Sequence, residues 1–251
     1  MRYVLELSYR GTPYHGWQIQ QNAHTVQQEL NNALEIILKQ SVETIGSGRT
    51  DTGVHALQQF AHFDYEGILN PAKLVFQLNA ILPESIFVHQ IYGSPNDFSA
   101  RFDAVSRSYV YKISYRKDPF LKDLACFYYK KRPNIELMNQ AASLLLKYTD
   151  FQSFSKYHTD VNHFECFISK AFWQEEGGLL LFHISANRFL RGMVRAIVGS
   201  LLEVGSGKIS VMDFEKIILM RDRKYAKASV PAQGLYLSNI VYPVGLLKPL
   251  C

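Results

Sequence analysis

Apolar and polar residues along the first hundred positions keep two different rhythms. Residues 3–9 (YVLELSY) alternate, the period of a strand with one buried face. From Val26 the repeat lengthens: Val26, Leu30, Ala33, Leu34, Ile37 and Leu38 form one helical stripe, opened by Thr25 with Gln28 at capping-box spacing. Short strands are predicted around 42–46 and 56–64. Asn70-Pro71 starts a second helix, a capping side chain followed by proline in the first turn, and SIFVHQIY (85–92) reads as a strand. The order is β-α-β-β-α-β, the ferredoxin-like arrangement.

The order returns, with insertions, in the second half. SYVYKISY (108–115) alternates as a strand, and Asn134 caps a helix running to about Lys147. Strands at roughly 164–175 and 179–186 flank Gly177-Gly178, a hairpin dipeptide. A helix is predicted over about 188–204, stopped by Gly205. Another opens at Ser210 with Asp213 in the capping position, and GLYLSNIV (234–241) supplies the last strand. The predicted class is α+β, with two ferredoxin-like halves, residues 1–104 and 105–251. Without a Pro/Ser-rich linker, the halves should join in one continuous, mainly antiparallel sheet with a central active-site cleft.

Composition narrows the setting. Of 251 residues, 47% are hydrophobic and 20% charged, as in ordinary soluble proteins. No apolar run is long enough for a bilayer, and MRYVLELSYR is too polar for a signal-peptide core. Cys126, Cys166 and Cys251 are odd in number and scattered, which suggests neither a zinc ribbon nor a disulfide framework and fits a reducing cytoplasm. The net charge of +5 leans towards a polyanionic partner. Much of the basic character lies late in the chain, in KKR (130–132), Arg188, Arg191, Arg195 and RDRK (221–224). Fifteen tyrosines and sixteen phenylalanines could offer faces to unstacked bases, although most such rings belong to cores.

The chemistry must be sought in SGRTDTGVHA (47–56), where Asp51 stands among small residues, two after Arg49. Asp-Thr-Gly is also the triplet of pepsin-like proteases, but these need two facing aspartates and the chain has one such triplet. A phosphate loop is excluded because GSGRTDTG lacks the Gly-Lys-Ser/Thr ending and Asp51 would repel phosphate. A plain turn remains, with Asp51 capping its own backbone and Gly48 and Gly53 supplying unusual dihedrals. So does a catalytic carboxylate.

The loop resembles the G-R-T-D-x-G-V-H-A motif of the TruA family of tRNA pseudouridine synthases. Four further segments are similar to that family in the same order: YRGTPYHGWQIQ (9–20), FSARFDAVSRSYVY (98–111), ANRFLRGMVRAIVGSLLEVG (186–205) and PAQGLYL (231–237). The resemblance implies two ferredoxin-like halves around a cleft, which agrees with the pattern read above.

It also implies an activity. Family members convert uridine to pseudouridine at tRNA positions 38–40, in the anticodon stem-loop, by detaching uracil from C1′, turning it and rejoining it through C5. Because the product is an isomer, no cofactor or metal is implied. One ionised carboxylate is required, and by resemblance it is Asp51. Arg195 occupies the Met-Val-Arg position and would be its counter-charge, since an unpaired carboxylate in a desolvated cleft gains a proton. Tyr109 corresponds to the tyrosine that lies against the target base, and Leu235 is a candidate floor for the ring. Arg49 matches the residue that fills the place of a flipped base. Arg101 and its surroundings, Phe98, Ser99, Ala100 and Phe102, should contact the RNA backbone, with Arg188 and Arg191 as further contacts sharing a helix face with Arg195. His55 is read as a packing residue. Residues 156–166 match the family least, and His158, Asp160, His163 and Cys166 are too irregularly spaced for a metal set. Family members are homodimers whose tRNA reaches across both subunits. The alternatives are a non-catalytic RNA-binding protein and a pseudouridine synthase for another RNA.

Overall fold

A computed structural model describes residues 1–156 and 163–250. The described residues hold ten strands and five α-helices, a mixed α+β protein in which the strands pair mostly antiparallel. They divide into two compact units, residues 1–106 with 237–250, and residues 107–236.

The first unit begins with β1 (Arg2–Tyr9), α1 (Val26–Leu38), β2 (Ile45–Gly46), β3 (His55–Asp64), α2 (Pro71–Ile81) and β4 (Ile86–Gly93). Strand β1 lies between β3 and β4, antiparallel to both, and β2 pairs with β3. Leu5, Leu7, Leu30, Leu34, Leu74 and Leu78 are all buried, as the two periodicities require. The helix starts are local. Thr25 accepts from the Gln28 N–H at 3.4 Å, and Asn70 accepts from the Lys73 N–H at 3.0 Å ahead of Pro71. Asn79 of α2 binds the peptide groups of Val88 in β4, donating to its carbonyl and accepting from its N–H at 2.8 Å each.

The second unit contains β5 (Ser106–Ser114, from its second residue on), β6 (Cys126–Phe127), α3 (Ile135–Leu144), β7 (Ile168–Glu176), β8 (Leu179–Ala186), α4 (Met193–Gly205) and α5 (Val211–Leu219). Strand β8 pairs antiparallel with β5 and β7, and β6 runs parallel to β5. Gly177 and Gly178 both have positive φ, the backbone of a tight hairpin turn. Asn139 of α3 repeats the Asn79 device, donating to the Trp173 carbonyl at 3.1 Å and accepting from its N–H at 2.7 Å. The predicted capping box of α5 forms between Ser210 and Asp213. Last come β9 (Leu235–Val241) and β10 (Lys248–Pro249), the latter paired with β4. Ile240 of β9 donates its N–H to the Gln58 side chain at 2.9 Å.

Two boundaries differ from the sequence reading. Strand β7 starts at Ile168 rather than 164, because Glu165 is engaged in an isolated bridge with Asp150. Helix α4 starts at Met193, not 188, because Gly192 adopts φ +72°, which a continuous helix cannot include. Arg188 and Arg191 therefore precede α4 and share no helix face with Arg195. Gly205 is the last residue of α4, so the helix ends where the sequence places it. A Cβ there would come 2.4 Å from the Met138 sulfur and 2.7 Å from Pro133, so this glycine lets α3 approach closely. The chain turns away at Gly207, with φ +74°.

Candidate active site

Residues 47–54 connect β2 to β3, and nearly every step is hydrogen-bonded. The Ser47 N–H donates to the Phe60 carbonyl at 2.7 Å, and the Ser47 hydroxyl donates to Gln59 Oε1. Gln59, fully buried, donates its Nε2 to the Gly48 carbonyl at 3.1 Å. An unpaired amide at such a site would cost about 1–3 kcal/mol, so this network fixes the loop entry. Thr50 Oγ1 lies 2.9 Å from the Tyr9 hydroxyl. The Asp51 carbonyl accepts from the Val54 N–H at 3.1 Å, closing a turn whose third residue, Gly53, has φ +78°. That is the type II position where a side chain is strained.

The segment after β1 backs this loop. A Cβ on Gly11 would sit 1.9 Å from the Val54 carbonyl oxygen, and one on Gly16 would sit 2.3 Å from that of Thr50. Between them, the Tyr14 carbonyl accepts from the Gly53 N–H at 3.3 Å, and the Trp17 N–H donates to the Thr50 carbonyl at 3.2 Å. The Trp17 ring covers Gly46, where a Cβ would come within 2.5 Å of the indole. His55 is buried, and its Nδ1 accepts from the Gly11 N–H at 3.1 Å. An accepting Nδ1 makes the ring neutral with its proton on Nε2. Its position under the loop is a packing one. Above this fixed backbone Asp51 is half-buried and Arg49 exposed.

A second turn in the same unit carries Arg101. Phe98 and Ala100 are buried, at 1% and 0% exposure, so any part they play in RNA contact is to hold the turn. The Ser99 N–H donates to Asp103 Oδ2 at 2.7 Å, and the Phe102 N–H to the Ser99 hydroxyl at 3.3 Å. The Ala100 N–H donates to His62 Nδ1 at 3.1 Å, while its carbonyl accepts from the Tyr242 hydroxyl at 2.6 Å. Arg2 forks around Asp64 and reaches the Phe98 carbonyl. Arg101 and Phe102 are left outside, the guanidinium 5.2 Å from the Phe102 ring centre and the ring 79% exposed. His62, Tyr242 and Asp103 were not singled out from sequence. The available signal was a histidine between Ala61 and Phe63, apolar neighbours inside a strand.

In the second unit Tyr109 is half-buried in β5, opposite Ile184, and meets the Phe189 ring edge-on at 5.1 Å. Its neighbours in the stripe, Tyr111 and Ile113, are fully buried, and the Tyr111 hydroxyl donates to the Pro231 carbonyl at 2.8 Å. Burial pushes the Tyr111 phenol far above its ordinary value, so it stays protonated. The core reading suits Tyr111 and Ile113, whereas Tyr109 sits where that packing ends. Arg195 opens the first turn of α4 and exchanges two bonds with Val230: its Nε donates to the Val230 carbonyl at 2.7 Å, and its own carbonyl accepts from the Val230 N–H at 3.2 Å. Four residues on, a Cβ on Gly199 would lie 2.0 Å from the Ala228 carbonyl oxygen, so α4 lies directly on the 226–230 segment. Leu235 is buried just after Gly234, whose missing side chain makes room for the Tyr111 ring.

Arg188 binds the His163 ring at 2.8 Å, and the Arg191 carbonyl accepts from the Lys156 N–H at 3.0 Å. His158, Asp160 and Cys251 lie outside the described residues. Burial pushes the Cys166 thiol up to about 11. Among the described residues no three His, Cys, Asp or Glu side chains gather as metal ligands would. The RDRK cluster does structural duty. Arg223 donates to the Ala226 and Lys227 carbonyls, Arg221 pairs with Asp150 at 3.1 Å, and Lys224 with Asp222 at 2.8 Å. Arg132 of the other cluster stacks on Tyr115, 4.6 Å from its ring centre.

In the first unit two locked backbones thus carry exposed arginines, Arg49 and Arg101, side chains whose planar cations suit phosphate and unstacked bases. Residues 7–103 and 141–243 match the family described as tRNA pseudouridine synthase. The chain is 46% identical over 247 residues to tRNA pseudouridine synthase A of Azobacteroides pseudotrichonymphae, covering 98% of this chain and 99% of that protein. Its identity to the protein of that name in Porphyromonas gingivalis is 46% over 249 residues, 98% of each chain, and in Bacteroides fragilis 49% over 245 residues, 96% of each. The chain belongs to the tRNA pseudouridine synthase family. It is an isomerase that acts on tRNA.

Proposed function

We propose that this enzyme converts uridine to pseudouridine at positions 38, 39 and 40 of the tRNA anticodon stem-loop, with Asp51 as the essential carboxylate. The observation that carries the reading is the Asp51 loop: its backbone is bound from both sides while Asp51 itself is only half-buried. A group that must meet a glycosidic carbon or a uracil ring gains from such fixing, because the entropy of orientation is lost on folding rather than in the reaction. The uracil leaves C1′, turns and rejoins through C5, so atoms balance within the substrate and no cofactor or metal enters.

The remaining roles follow the family motifs. Arg195 is the counter-charge that keeps Asp51 ionised, and its bond to Val230 restricts the guanidinium. Tyr109 lies against the base, with Phe189 bracing its ring, and Leu235 forms an apolar floor. Arg49 takes the place of the flipped base, which costs a few kcal/mol to extract. Arg101 and Phe102 meet the RNA backbone on the mount made by Phe98, Ser99 and Ala100, and Arg188 and Arg191 add contacts. Each unit is ferredoxin-like, supported in the first by the sequence β1-α1-β2-β3-α2-β4 and the spatial order β4-β1-β3-β2. The enzyme works in the cytoplasm as a homodimer.

The test uses unmodified tRNA with pseudouridine mapped by nucleotide. Asp51→Ala and Asp51→Asn should abolish turnover and leave tRNA affinity close to that of the parent. Pseudouridine made by purified Asp51→Ala, free of host enzyme, would overturn the assignment, and product outside positions 38–40 would overturn the site.

A further inference from the structure

We infer that His62 is a positioning residue for tRNA binding: as an acceptor for the Ala100 N–H, it sets the turn that presents Arg101. The inference rests on the reading of Arg101 as an RNA contact. It stands on the geometry of one residue, Ala100. The Ala100 N–H meets His62 Nδ1 at 3.1 Å, its carbonyl meets the Tyr242 hydroxyl at 2.6 Å, and Phe98 packs its ring against both His62 and Tyr242, with ring centres 6.1 and 5.3 Å away. Arg101 is the next residue. A turn held at both backbone groups of one residue points the following side chain in one direction, whereas a turn lacking one hold samples several.

Histidine adds a property that an amide would not. Only the neutral ring with its proton on Nε2 can accept at Nδ1, so protonation sets two N–H groups against each other and opens the contact. The charged groups facing the ring are Arg2 from β1, Asp64 on its own strand and Asp103 in the turn, with the Tyr242 hydroxyl across the peptide. Burial, with Arg2, lowers the pKa below the ordinary 6.5, against the weaker pull of the two aspartates. A depressed histidine pKa means the contact is complete above pH 6.5 and is lost as pH falls through the lower folded value. Affinity for tRNA should follow the same course.

The experiment measures tRNA affinity, KM and kcat for His62→Ala, His62→Asn, Arg101→Ala and the double variant His62→Ala with Arg101→Ala, and records each unfolding temperature. His62→Ala should weaken tRNA binding about tenfold, the worth of one buried hydrogen bond, and raise KM more than it lowers kcat. Asn, whose Oδ1 can replace Nδ1 as acceptor, should restore most of this. On the Arg101→Ala background the His62→Ala change should add little. As pH falls through the lowered His62 value, the parent should lose affinity relative to His62→Asn. Full additivity of the two substitutions, or an acid limb unchanged in His62→Asn, would overturn the inference while leaving Arg101 an RNA contact. No effect of Arg101→Ala on tRNA binding would overturn that reading and this inference with it. Should His62→Ala fail to fold, the acid limb of the parent against His62→Asn decides alone.

Discussion

A methyl group on Gly16 would lie 2.3 Å from the Thr50 carbonyl oxygen, on a residue whose φ is already +93°. Gly16→Ala therefore strains its own backbone, by about 1–3 kcal/mol, and pushes on the residue before Asp51. The expected outcome is a lower unfolding temperature together with a loss of turnover larger than the loss of tRNA affinity, read from single-turnover kinetics and filter binding. Arg49 and Arg101 separate differently. Arg49→Ala should reduce turnover on a structured anticodon arm more than it reduces binding. Arg101→Ala should weaken binding and flatten its dependence on salt. Equal small effects of Arg49→Ala on both quantities would make it a surface charge.

At the scale of elements, two asparagines on helices bind strand peptides that strand pairing alone does not satisfy. Asn139→Ala removes both bonds to Trp173, and a destabilisation of about 1–3 kcal/mol is expected in urea unfolding, with Asn79→Ala similar at Val88. A second expectation concerns the capping box of α5. Ser210, by its hydroxyl and its backbone N–H, holds the Asp213 carboxyl down at about 2, helped by Lys216. That lowering favours the folded state above the ordinary 3.8, an advantage lost as pH falls through about 2. Ser210→Ala should bring the Asp213 value back towards 3.8 in an NMR titration. Elements of this kind were legible in sequence because caps act over three residues: Thr25, Asn70, Asn134 and Ser210 all cap where their spacing indicates. The start of α4 was not, since Phe189, Leu190 and Arg191 suit a helix and only the φ of Gly192 forbids it. Gly205 marked the helix end, but its contact with Met138 and Pro133, residues distant in sequence, was not legible. The Asp51 loop could be recognised from its own motif, but its dependence on Gly11, Gly16 and Tyr14 appears only when the two segments are seen together. His62 and Tyr242 were hidden because their common partner is a peptide group, which carries no sequence signal.

For the molecule as a whole, assembly and cofactor use can be tested directly. Sedimentation at micromolar concentration should give a dimer, and a strictly monomeric species would count against the proposed assembly. An anticodon stem-loop fragment should bind more weakly than whole tRNA if surfaces beyond one site take part. Activity should survive exhaustive chelation and need no added nucleotide. Loss of activity with EDTA, restored by zinc, would turn attention to residues 158–166. In the 221–224 cluster, Arg223 is engaged with the Ala226 and Lys227 carbonyls and the Ser229 hydroxyl, and Arg221 and Lys224 are paired with aspartates, which argues against distant RNA contact there.

The first unit is discontinuous in the chain: it breaks off at residue 106 and is joined again from residue 237. On the ribosome this ordering matters. The Asp51 loop is made early, but the Tyr242 hydroxyl that holds Ala100 emerges only after residues 107–236 have been translated, roughly 14 seconds after Ala100 at about 10 residues per second. During that interval the nascent chain carries Asp51 without the second hold on Ala100. With Arg101 in its proposed role, the turn that meets tRNA is completed only once the returning segment of the first unit has emerged.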